Sequence, residues 1–206
     1  MSRLWYRERN MRKTSIWLAA VLAMLLLTAG CGQPYEFQGT AFPEPLATPQ
    51  FTLINETGEP LRLGDLQGKV VLLFFGYTTC PDFCPTTLAE ARTVLEGLGS
   101  KADEVVFLFV TVDPERDTPE KLAAYTNAFH PNIFGLTGDP ADLEAVYRDF
   151  RVRVEREDLP DSALGYLMGH TTRMYLVDQQ GNLRLSYSYG TPPETILQDV
   201  KHLLKS

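Results

Sequence analysis

The chain has 206 residues, 44% of them hydrophobic and 22% charged, with a formal net charge of −7. That length and composition allow one globular domain with a full core plus appendages, and argue against two domains. Lys and Arg number 19 against 26 Asp and Glu, and no basic cluster lies beyond the first residues, which argues against nucleic acid as a partner.

Arg3, Arg7, Arg9, Arg12 and Lys13 precede an uncharged run from Ile16 to Gly30, the pattern of a secretory signal. The run falls short of the roughly twenty apolar residues that a spanning helix needs, so it reads as the apolar region of a signal peptide. It ends in Leu26-Leu27-Thr28-Ala29-Gly30-Cys31, which resembles the lipobox of bacterial lipoproteins, although Thr28 stands where Leu is commonest. Cys31 is then the expected acylated first residue. The basic residues stay inside, so the rest of the chain is expected on the outer face of the cytoplasmic membrane. Met11 is an alternative start. Removing residues 1–30 leaves 14 basic and 25 acidic residues, a formal charge of −11. A surface that acidic needs lipid rather than charge to hold it to a membrane.

Residues 31–49 carry Pro34, Pro43, Pro45 and Pro49 with no helical or strand period, and read as a lipidated terminus and spacer ahead of a domain over 50–206. Phe51 to Asn55 is an expected strand, followed by a turn at Glu56 to Glu59. Lys69 to Tyr77 and Val105 to Val112 are short and continuously apolar, as strands buried on both faces are. Between them Leu88, Ala91, Leu95 and Leu98 share one face of a helix that ends at Gly97 to Gly99. Thr118 to Phe129 reads as a helix opened by Pro119, Ile133 to Leu136 as a strand, and Ala141 to Phe150 as a third helix. Thr171 to Val177 and Asn182 to Tyr189 are strands joined by a hairpin turn at Asp178 to Gly181, and Pro193 to Leu204 is a final helix. Buried strands separated by helices imply parallel neighbours, and the terminal hairpin implies an antiparallel pair. The expected fold is therefore α/β and thioredoxin-like, with a central mixed sheet and flanking helices.

Cys80-Pro81-Asp82-Phe83-Cys84-Pro85 lies between a buried strand and a helix. A thiol at a helix start feels unpaired backbone N–H groups and the positive end of the dipole, both of which favour the thiolate that attacks disulfides and binds metals. A structural disulfide is the plain alternative for an exported protein, but a domain with this many apolar strands has little need of a staple. Thiol-disulfide exchange normally uses two residues between the cysteines and a proline facing them. Here the spacer has three, no proline lies between Leu164 and Thr172, and His170 stands where the facing loop is expected. Two sulfurs around a longer loop, closed by an imidazole, suit a soft metal ion. The pair is expected as separate thiols with metal and as a reversible Cys80–Cys84 disulfide without it.

The segments Phe74 to Pro85, Val112-Asp113-Pro114-Glu115-Arg116-Asp117-Thr118-Pro119 and Gly169-His170-Thr171-Thr172-Arg173-Met174-Tyr175-Leu176-Val177 together resemble the SCO/SenC family, over roughly Phe51 to Leu204. The resemblance implies a thioredoxin-like fold and copper, as Cu(I) or Cu(II), bound by Cys80, Cys84 and His170. It also implies delivery of that copper to the binuclear copper A site in subunit II of cytochrome c oxidase, after loading by an upstream donor the sequence does not specify. Gly169 departs from the family, which often has an acidic residue before the histidine.

Two other functions use the same residues: a thiol-disulfide oxidoreductase that reduces the partner's cysteines, and a redox or copper sensor. Zinc could occupy two thiolates and an imidazole with water, but a delivery site favours a softer, exchangeable ion. His130, at a helix end, and His202, on the last helix among lysines, read as structural. Asp117 or Thr118 is the expected cap of the following helix. Asp113 and Arg116 are left for an ion pair beside the cysteine loop or for a partner, and neither is assigned to copper. Glycine-rich phosphate loops, a serine nucleophile elbow and the His-Glu-x-x-His pattern are missing from the sequence, so nothing points to a hydrolase.

Overall fold

Two continuously apolar segments set the centre of the computed structural model, which describes residues 35–205. The expectations for the signal run and for Cys31 lie outside those residues. Strands β4 (Val70–Gly76) and β5 (Val105–Thr111) are buried at every position and pair in parallel from Val70↔Val105 to Gly76↔Thr111. An apolar strand of this kind is stable only when both faces are covered. Helix α1 (Phe83–Leu98) connects them and buries Cys84, Thr87, Leu88, Ala91, Val94, Leu95 and Leu98.

The sheet grows outward on both sides, in part where the sequence shows no period. Strand β6 (Ile133–Thr137) pairs parallel with β5 after helix α2 (Pro119–Asn127), and β2 (Thr52–Asn55) and β3 (Pro60–Arg62) extend that side antiparallel. Helix α3 (Pro140–Asp149) follows β6. On the other side β9 (Met174–Val177) pairs antiparallel with β4, and β10 (Asn182–Tyr187) with β9. With the edge strand β1 (Thr40–Ala47), the full order is β1-β10-β9-β4-β5-β6-β2-β3 in eight strands. Helix α4 (Pro193–Leu203) packs on α1. A Cβ built at Gly97 would lie 2.6 Å from Leu197 Cδ2, so glycine is what lets the two helices meet so closely there.

Three departures from the sequence reading have physical causes. Residues 40–47, expected within a spacer, form the edge strand β1 (Thr40–Ala47) against β10. The register jumps between Ala41↔Leu185 and Leu46↔Leu183, and the irregular stretch contains Pro43 and Pro45. A bulged edge strand tolerates prolines that lack a ladder N–H, which is why their presence hid the strand. Where the chain enters β1, the buried carboxylate of Asp199 accepts hydrogen bonds from the backbone N–H groups of Gln38 and Gly39 and from the Tyr187 hydroxyl.

A second sheet, β7 (Val154–Leu159) with β8 (Gly165–His170), is inserted between α3 and β9. It pairs antiparallel from Val154↔His170 to Leu159↔Gly165. Its charged, mostly exposed β7 carries no apolar alternation, so nothing in the sequence marked it. The final departure follows from this one: His170 closes β8 rather than standing in a loop, and the next strand, expected from Thr171, begins only at Met174.

Candidate metal centre

Parallel strands place the loops that follow them on one edge of a sheet. Tyr77 to Asp82 follows β4, and Asp113 to Thr118 follows β5. Antiparallel β9 starts at that same edge, with Met174 opposite Phe74 near the end of β4, so the residues just before β9 return to it. This topology brings His170 to Cys84, which is 86 residues away.

The Cys84 sulfur and His170 Nε2 are 3.7 Å apart, and one ligand atom from each of Cys80, Cys84 and His170 lies within 4.8 Å of the others. Cys84 sits in the first turn of α1 and is wholly buried, and Cys80 is 8% exposed. Neither forms a disulfide. Gly76 is the floor under Cys84. A Cβ there would lie 2.8 Å from the Cys84 sulfur and 2.7 Å from Phe109, so a side chain would displace the sulfur or the ring. The His170 ring meets Phe74 and Tyr77 edge-on, at centroid distances of 6.0 and 5.9 Å. Its Nδ1 lies 3.1 Å from the Thr171 carbonyl oxygen, which can only accept. A proton on Nδ1 satisfies that oxygen, and Nε2, on the side of the sulfurs, is the nitrogen that would meet a metal ion.

The two thiols are unequal. A hydrogen bond from the Cys84 thiol outweighs burial and, with His170 and the backbone N–H groups of Asp82 and Cys84, brings Cys80 down to about 3. The hydrogen bond it gives to Cys80, and then its burial, push Cys84 well above the usual thiol range. The pair thus holds one proton between two sulfurs, as interacting sites do. Metal entry would release that proton, and two thiolates with one neutral imidazole match copper in either common oxidation state.

The expected pairing of Asp113 with Arg116 is present, through Arg116 Nε. Asp117, weighed as a helix cap, does other work. It is fully buried and accepts hydrogen bonds from Thr78 N, Thr78 Oγ1 and Thr111 Oγ1, fastening the cysteine loop to β5. Burial raises its pKa despite these donors. Thr118 is the cap, accepting from Lys121 N. His130 Nδ1 accepts from Asn132 N, and His202 stacks edge-on with Phe37 at 5.4 Å, so neither joins the cluster. Gly169 is exposed, and a Cβ there would meet the Glu155 backbone oxygen only at 3.6 Å, an ordinary contact. Sequence reasoning missed Tyr77, whose hydroxyl accepts from Met168 N at 3.3 Å and ties the hairpin to the cysteine loop. Its position three residues before Cys80 was the available signal.

A thioredoxin-like sheet that carries two thiols and an imidazole on one edge defines a class of soft-metal and redox proteins. Within that class the chain belongs to the SCO1/SenC family, whose model matches residues 40–205. It is similar to copper-bound ScoI of Bradyrhizobium japonicum, at 39% identity over 76% of this chain and 99% of that one, with a TM-score of 0.70. A SCO1/SenC family lipoprotein of Bacillus anthracis is 31% identical over 79% and 99% of the two chains, TM-score 0.66. BsSco, described as a member of the Sco family of cytochrome c oxidase assembly proteins in which a disulfide switch was identified, is 26% identical over 80% and 96%, TM-score 0.63.

Proposed function

We propose that this protein is a copper carrier that holds its cargo between Cys80, Cys84 and His170 and delivers it to the copper A site in subunit II of cytochrome c oxidase. The observation that carries the reading is the approach of three ligand atoms to within 4.8 Å on one sheet edge. The copper-bound relative and the assembly role stated for BsSco support it. Two thiolates satisfy Cu(I), and the imidazole adds the nitrogen that Cu(II) prefers. Release proceeds by ligand exchange, with a partner's thiolates and imidazoles replacing His170 before the buried cysteines, of which Cys84 is wholly enclosed.

The test is a competition titration with Cu(I) and Cu(II) on wild type, Cys84→Ser and His170→Ala, alongside oxidase activity of the host. Cys84→Ser should abolish tight binding of both ions. His170→Ala should keep the fold, lose Cu(II) affinity more than Cu(I) affinity, and lower oxidase assembly. Unchanged Cu(II) affinity in His170→Ala would remove the histidine from the site.

A second reading rests on the unequal thiols. The Cys80 thiolate could attack a disulfide in the partner, forming a mixed disulfide and releasing one partner thiolate. Cys84, on losing its proton, would then displace the second partner thiolate, leaving Cys80–Cys84 oxidised and the partner reduced. Full oxidase assembly with His170→Ala would favour this reading over the carrier.

The proposed location is the outer face of the cytoplasmic membrane, through lipid on Cys31. No helix among the described residues is long and apolar enough to cross a membrane, and a family member is a lipoprotein. Cys31→Ser should abolish acyl labelling, and labelling that persists rules the anchor out.

A further inference from the structure

Strand β8 points alternate side chains at the main sheet, as a strand's period of two requires. At His170 the contact is with Cys84, and two residues earlier the Met168 backbone N–H reaches the Tyr77 hydroxyl. Two residues earlier again stands Tyr166, which has the densest set of contacts in the hairpin. Its hydroxyl donates to Asp113 Oδ1 at 2.8 Å. One face of its ring receives Arg116 at 3.6 Å from the centroid and the other Arg156 at 3.7 Å. Arg116 Nη1 donates to the carbonyls of Leu164 and Tyr166, both at 3.1 Å, while its Nε pairs with Asp113. Arg156 in turn reaches Glu115 at 3.2 Å and Asp158 at 2.8 Å. Asp113 is buried beside β5, and its own backbone N–H is held by Thr111 Oγ1.

The exposed ribbon lacks a core of its own, and two-stranded sheets are marginal in water. Its orientation therefore depends on where it is fastened to the sheet. A planar guanidinium that grips a carboxylate and two carbonyls at once fixes direction as well as distance, and stacking on an aromatic ring strengthens the hold. Four residues separate Tyr166 from His170, about 13 Å of strand, so a change of angle at the first displaces the imidazole at the second.

We propose that Arg116, acting with Asp113 and Tyr166, is the positioning residue for His170: it sets the angle of β8 and so presents Nε2 to the cysteine pair, which makes it a determinant of Cu(II) relative to Cu(I) binding. This rests on the carrier reading for its metal arm. The Asp113–Arg116 pair, which copper does not use directly, thereby acquires a role.

The experiment compares wild type, Arg116→Ala, Arg116→Lys, Tyr166→Phe and His170→Ala by amide hydrogen exchange of the metal-free proteins and by Cu(I) and Cu(II) competition titration. Arg116→Ala should speed exchange across Gly165–His170 while β4 and β5 stay protected. It should weaken Cu(II) binding about 10- to 100-fold, the usual effect of losing a partner that orients a ligand, with Cu(I) nearly unchanged. Tyr166→Phe should shift both readouts the same way by less, and it decides the matter if β4 and β5 also lose protection in Arg116→Ala. Arg116→Lys keeps the charge but not the fork, and should not restore Cu(II) affinity. Unchanged β8 exchange, unchanged Cu(II) affinity in a folded variant, or full rescue by lysine would each overturn the proposal. If wild type binds no copper, the carrier reading fails, and the exchange of β8 and the His170 imidazole NMR signals still report whether Arg116 positions the ring.

Discussion

Cys80 and Cys84 stand against the deepest packing in the molecule, whereas His170 stands at the end of its most exposed ribbon. The cysteine loop follows β4, a strand buried throughout, and is pinned by Asp117 to β5 and floored by Gly76. The histidine is carried by β8, whose partner β7 has Glu155, Arg156, Glu157 and Asp158 all exposed. Elements with few buried apolar contacts open at lower free energy than core strands. The two cysteines are thus built to stay and the histidine to yield, which suits the proposed carrier.

Substitutions on the two regions should separate widely. Phe109→Ala removes a buried ring that packs on Phe74 and Tyr125 and backs Gly76, and should cost about 3–5 kcal/mol of stability. Denaturant unfolding measures this, and a loss below about 1 kcal/mol would show that the region under the cysteines is not the rigid part.

The unequal thiols give a prediction of intermediate size. In the reduced, metal-free protein iodoacetamide should label Cys80 and spare Cys84. The Cys80 rate should stay nearly flat from about pH 8 to about pH 5, where an ordinary thiol of pKa about 8.5 slows roughly tenfold per unit. Because its folded pKa of about 3 lies below the unfolded value, the stabilisation from the Cys80 thiolate is complete above about pH 8.5 and is lost as pH falls through about 3. Cys84 runs the opposite way: its raised pKa stabilises the protonated fold at low pH, and that contribution is lost as pH rises. Equal labelling of both cysteines by mass spectrometry would contradict the asymmetry. The smallest effect belongs to the ribbon's outer side, where Glu157→Ala should change stability by less than about 0.5 kcal/mol. A larger loss there would mean the hairpin is more deeply integrated than its exposure indicates.

What could be read from the sequence divides along the same line. Strands β4 and β5 are legible because runs of six consecutive apolar residues have few other solutions, and the cysteine loop is legible from its place between such a strand and a helix. Helices α1 to α4 begin and end within a few residues of expectation, with Thr118 and Pro119 marking one start. The hairpin was not legible, because Val154 to Leu159 spells a charged run whose partner is set only by pairing in space. His170 was expected in a loop facing the cysteines; it does meet Cys84, but as the last residue of β8. Asp117 shows the limit of local rules: an acid before Thr-Pro fits a helix cap, yet its carboxylate turns inward to bind Thr78 and Thr111.

The chain enters the sheet at a defined rim. Gly39 lies against the Tyr187 ring, Tyr187 is opposite Met174, and Met174 is opposite Phe74 near the end of β4. The mooring at Asp199 is therefore on the rim that bears the cysteines, three strands along.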